Sequence, residues 1–76
     1  MKELLTYVAR YLVDKPDEVS VTEVERDGGL VLELRVASED MGKVIGRQGR
    51  IAKELRTLIK AVAQRAGQKA TVEIVE

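Results

Sequence analysis

Lys43-Val44-Ile45-Gly46-Arg47-Gln48-Gly49-Arg50-Ile51 interrupts what otherwise reads as one long helical run. Two glycines three apart enclose an arginine and a glutamine. Glycine has no Cβ to block left-handed or tightly turned backbone, and it lets another chain come close to the main chain. Peptide N–H groups freed at a helix start, beside a long cation, make a seat for a phosphate.

Upstream of this stretch, Ser38 reads as an N-cap, with Glu39 and Asp40 in the first turn facing the positive end of the helix dipole. That short helix carries Met41, Val44 and Ile45, and Gly46 is expected to break it. Downstream, a long helix has Ile51, Leu55, Leu58, Ile59, Val62 and Ala66 on its buried side and Arg50, Lys53, Lys60 and Gln64 on another. Gly67 suits its C-terminus. Ala70 to Val75 then reads as a strand, Val72 and Ile74 pointing one way.

Toward the N-terminus, Lys2 to Val13 forms a helix with Leu5, Val8 and Leu12 on one stripe, beside Leu4, Tyr7 and Tyr11. Asp14-Lys15-Pro16-Asp17 ends it, because proline disfavours helical geometry in the residue before it. Val19 to Arg26 looks like a strand with imperfect alternation around Thr22 and Glu23. Asp27-Gly28-Gly29 is a tight-turn signal. Leu30, Leu32, Leu34 and Val36 alternate with Val31, Glu33 and Arg35, the cleanest strand pattern in the chain. The order α-β-β-α-α-β makes an α+β fold. Its three-stranded mixed sheet has Leu30–Val36 in the middle, antiparallel to the first strand and parallel to the last through a right-handed crossover. Three helices cover one face.

Seventy-six residues make one small domain with a thin core. No cysteine is present, so there is no disulfide framework or thiolate metal site, and no histidine, the usual general base and commonest metal ligand. Neither a signal-peptide core nor a membrane-length apolar run occurs, so a soluble cytoplasmic protein without cofactor or metal is expected. Net charge is zero, but from Lys43 to Arg65 there are seven basic residues and one acid, against six and twelve elsewhere. Positive charge is therefore concentrated around the glycines, where a polyanion could be held.

Val44-Ile45-Gly46-Arg47-Gln48-Gly49, between helices and flanked by strands, resembles the V-I-G-x-x-G signature of KH domains. A helix and strand ahead of the β-α-α-β unit mark the bacterial type II arrangement, and a single KH domain over residues 1–76 accounts for the whole chain. The stretch Met41 to Lys53 is similar to one that recurs in the stand-alone bacterial KH proteins of the KhpA family. One departure is Ala52, where many KH domains place a large aliphatic. The resemblance implies a single-stranded RNA binder whose loop holds the sugar-phosphate backbone beside a groove for about four nucleotides. Carried over by position, Gly46, Arg47, Gln48 and Gly49 form the loop and Lys43, Arg50 and Lys53 are flanking cations. Met41, Val44 and Ile45 lie near the groove floor, although Val44 and Ile45 also read as plain core packing.

The resemblance further implies an RNA chaperone or post-transcriptional regulator that forms a homodimer and pairs with a Jag-like KH protein in cell elongation, division and cell-wall homeostasis. Tyr7 and Tyr11, or Leu58, Ile59 and Val62, are the candidate dimer contacts. An enzyme is disfavoured: no G-x-x-x-x-G-K-[ST] loop is present, and Glu39 and Asp40 are better explained as helix N-terminal charges. A duplex-DNA helix-turn-helix is disfavoured because the basic helix sits between strands behind a glycine-bounded turn. The remaining alternative is a protein-interaction module that keeps the fold as scaffold.

Overall fold

A computed structural model describes residues 1–75, with the side chains of Arg47 and Gln48 outside the described residues. Helix α1 spans Lys2–Leu12 and is followed by a 3₁₀ turn at Pro16–Glu18. Strands β1 (Ser20–Arg26) and β2 (Gly29–Arg35) lead into helix α2 (Ser38–Arg65) and strand β3 (Ala70–Val75). The sheet order is β1-β2-β3, with β1 antiparallel and β3 parallel to β2, as the sequence pattern requires.

The β1–β2 hairpin turns on Asp27 and Gly28, whose φ values of +54° and +78° meet the demand of a two-residue primed turn for two left-handed residues. Gly29 eases a close approach instead. A Cβ there would lie 3.2 Å from both the Cβ and the carbonyl oxygen of Lys69, where β3 comes in beside β2.

The core lies between the sheet and the two α-helices. It joins Leu5 and Ala9 of α1, Val21 of β1, Leu32 and Leu34 of β2, Val72 of β3, and Val44, Ala52, Leu55, Ile59 and Ala63 of α2. On β1 the helix-facing positions past Val21 are Glu23 and Glu25, paired with Leu32 and Leu30 and both exposed. The helices thus shelter only one end of β1, which is why its alternation looked imperfect. On the open face an Arg26–Glu73 ion pair (3.6 Å) links the two edge strands across β2.

Three expectations for the α2 region need correction. The short and long helices lie within one helical segment, and the break between them falls at Gly49 (φ +66°) and not at Gly46, which keeps a helical φ. Ser38 is not the N-cap. Ala37, whose side chain is buried, holds that place, and the Ser38 hydroxyl donates to Glu39 Oε1 at 2.9 Å. The buried stripe is rotated toward Ala52 and Ala63, leaving Leu58 and Val62 half-buried and Ala66 exposed. At its C-terminus α2 closes as expected. Gly67 has φ +69°, its N–H bonds Gln64 O (3.2 Å), and the Gln68 N–H bonds Ala63 O (2.8 Å), a complete Schellman motif.

The chain leaving α1 is fastened to the start of α2 by one side chain. Asp40 is fully buried, and its two carboxylate oxygens accept the backbone N–H groups of Asp14 (3.1 Å) and Lys15 (3.0 Å). Those N–H groups lie past the last helical turn and make no other hydrogen bond among the described residues. Hydrogen bonds to a charged acceptor contribute about 1.5–3 kcal/mol each, and total stability at this length is about 4–11 kcal/mol. Asp40→Ala should therefore lower unfolding free energy in urea by roughly 2–4 kcal/mol. Asp40→Asn, which keeps one carbonyl acceptor, should lose less. A drop under about 0.5 kcal/mol for the alanine variant, the range of ordinary surface substitutions, would show that the linker is held by other means.

Candidate nucleic-acid interface

Three glycines lie along the N-terminal half of α2, and a Cβ added to Gly42, Gly46 or Gly49 would meet nothing within 4 Å. Gly42 and Gly46 are one turn apart and share a face of the helix. A glycine in a helix costs about 0.5–1 kcal/mol relative to alanine, yet internal packing does not require one at Gly42 or Gly46. Main chain is simply left bare there.

Beside this bare strip is a hollow of about 500 Å³ lined by Asp14, Gly42, Lys43, Gly46, Arg50 and Ile51. Of the residues expected at the site, Lys43, Gly46 and Arg50 are brought together on its wall. Gly49 lies one turn further along α2, and Lys53 is exposed on the next turn and lines a separate shallow hollow with Arg50, Glu54, Thr57 and Leu58. Ile45 stands 48% exposed, so it is available to a ligand, and Met41 is half-buried. Val44 is buried and packs in the core. The side chains expected from Arg47 and Gln48 lie outside the described residues.

The cations differ in how free they are. Lys43 Nζ is 3.3 Å from Asp14 Oδ1, and Arg50 Nε is 3.6 Å from Glu54 Oε1. Arg56 is committed to the fold, donating from Nε to the carbonyl oxygen of Val72 on β3 (3.2 Å). Among the described residues Lys53 and Lys60 have no ion-pair partner. Sequence reasoning missed Gly42, Asp14 and Asp40. Gly42 was detectable from its four-residue spacing to Gly46. The two aspartates were not, because their partners are 25 or more residues away.

The acids at the α2 N-terminus divide their work. Glu39 is paired with Lys15 (2.8 Å) and also accepts from Ser38, while Asp40 is the buried clamp. The Lys15 hydrogen bond, with that from Ser38 next, pulls the Glu39 carboxyl from 4.5 down to about 2, and Glu39 in turn raises the Lys15 ammonium. Among the described residues no acidic, histidine or cysteine cluster could hold a metal, and no helix is long and apolar enough to cross a membrane.

An α+β sheet with this pairing, and a glycine-bounded basic segment inside the helical crossover, defines a type II KH domain. Residues 2–74 match the family described as "KhpA/KhpB, KH domain". Proteins named RNA-binding protein KhpA match over nearly the whole chain. That of Clostridium acetobutylicum is 57% identical over 99% of this chain and 100% of its own. The Treponema pallidum protein is 52% identical over 99% of this chain and 94% of its own, and the Listeria monocytogenes protein 47% identical over the full length of both. No solved structure matches. The chain belongs to the KhpA/KhpB KH-domain family, a family of RNA-binding proteins and not of enzymes.

The Glu39–Lys15 pair predicts a pH dependence. Because folding lowers the Glu39 value, the pair stabilises the fold above about pH 4.5 and loses that contribution as pH falls toward 2. Both groups are exposed, so the effect is small and screened by salt. A ¹³C NMR titration of the Glu39 carboxyl should give a midpoint near 2, moved upward by Lys15→Met. An unshifted midpoint in the parent chain would mean that the pair does not persist in solution.

Proposed function

We propose that this chain is a single KH domain that binds single-stranded RNA by clamping its sugar-phosphate backbone along Gly46-Arg47-Gln48-Gly49, without catalysis. Lys43, Arg50 and Lys53 supply flanking positive charge, and Met41 and Ile45 border the groove. The observation that carries the reading is the bare main chain at Gly42 and Gly46 facing the hollow beside Lys43 and Arg50, with Gly49 uncrowded one turn further on. A helix gains nothing internally from glycine at Gly42 or Gly46, but a phosphate backbone gains room to approach peptide groups. The names of the relatives point the same way. No stacking platform is needed, in keeping with two tyrosines that both lie on α1.

The role is that of an RNA chaperone or post-transcriptional regulator in the cytoplasm. It includes self-association and pairing with a Jag-like KH protein in cell elongation, division and cell-wall homeostasis, which rests on family membership alone. For self-association, Tyr7 and Tyr11 are 71% and 83% exposed and Leu58 and Val62 half-buried, so either helix offers apolar surface. Ile59 offers none, being wholly buried in the core.

Two variants test the site from opposite sides. Gly46→Ala should raise helix stability by up to about 1 kcal/mol, since its Cβ meets open space, while weakening RNA binding. Arg47→Asp with Gln48→Asp keeps both glycines, adds two negative charges and removes one cation. RNA affinity should fall at least about a hundredfold, close to 3 kcal/mol, with the circular dichroism spectrum unchanged. For the parent, three or four neutralised phosphates should give a slope of log affinity against log salt of about −2 to −3. A folded double variant that binds like the parent would favour the protein-interaction reading.

A further inference from the structure

The acid on the wall of the hollow carries the wrong sign for a phosphate clamp. Asp14 lies two residues past the end of α1, and its carboxylate reaches Lys43 at 3.3 Å across the hollow that Gly46 and Arg50 also line. Its backbone is not free to drift away, because the Asp14 N–H is bonded to the buried Asp40 carboxylate at 3.1 Å. The side chain beyond that anchor is 79% exposed. A carboxylate with a fixed root and an exposed head is thereby held beside the cation that a phosphate would use.

We propose that Asp14 sets the affinity of the Gly46–Gly49 site by competing with RNA phosphate for the Lys43 ammonium. In the free protein Lys43 is neutralised from within. An arriving strand must displace the Asp14 carboxylate or forgo that contact, and the displaced charge repels the polyanion from the α1 side of the hollow. The consequence is a site that holds RNA loosely and releases it readily. This inference rests on the proposed RNA function and deepens it.

The test uses the full chain and a fluorescein-labelled pool of random-sequence octaribonucleotides, with binding followed by anisotropy from about 50 to 300 mM salt. Asp14→Asn keeps the backbone bond to Asp40, so the fold should persist. It should bind about three- to fivefold more tightly at low salt, the range open to an exposed pair. Its salt slope should steepen by about 0.7, the value for one more neutralised phosphate on a single strand. In a Lys43→Gln background the same substitution should gain less. Equal affinity for Asp14→Asn and parent overturns the competition and leaves the RNA reading standing. Weaker binding by Asp14→Asn overturns it too, by making the carboxylate a contact to the RNA. A parent chain that fails to bind the pool at low salt overturns the RNA reading, and this inference with it.

Discussion

Two backbone N–H groups bound to one buried carboxylate hold this small fold in its working arrangement. Asp40 collects the Asp14 and Lys15 amides at 3.1 and 3.0 Å, fixing the segment after α1 to the first turn of α2. A chain of 76 residues buries too little apolar surface to place its first helix by packing alone with much margin. Leu5 and Ala9 provide the apolar part of that docking, against the sheltered end of the sheet. The clamp provides direction. It brings the linker to the start of α2, places Asp14 next to Lys43 and Lys15 next to Glu39, and so creates one wall of the hollow by the glycines.

Most of the fold was legible in the sequence because its signals are local. The Leu30–Val36 alternation, the Asp27-Gly28 turn and Gly67 after a helical run each name their own structure, and the strand order follows from chain connectivity. Ala70–Val75 appears with the bounds read from its pattern. Where the reading missed, a tertiary contact decided the outcome. Ser38 has the chemistry of an N-cap, but burying Ala37 starts the helix one residue earlier. Asp40 looked like a solvent-facing dipole charge, and its two donors lie 25 and 26 residues upstream, beyond any periodicity. Gly46 reads as a helix breaker, although a glycine can also keep a helical φ, and here only Gly49 leaves it.

The candidate site was legible to a lesser degree. Its glycines and cations could be named from the motif, but which cations are free could not. Arg56 serves β3, while Lys43 and Arg50 are met by Asp14 and Glu54. A local excess of positive charge therefore overstates what a ligand can use. The bare glycine face and the acid beside it would act on the proposed ligand in opposite directions, one leaving room for a phosphate backbone and the other competing for the Lys43 ammonium.

The central claim is that RNA lies along the bare face of α2 by the clamped linker. Amide chemical shifts of the ¹⁵N-labelled chain, followed as a short single-stranded RNA is added, test it most directly. With RNA at the proposed site, the largest changes fall on Gly42, Lys43, Gly46, Gly49, Arg50 and Ile51, with Asp14 moving among them. Changes centred on the open sheet face at Thr22, Val24, Val31 and Glu33, or on Tyr7 and Tyr11 of α1, would contradict it.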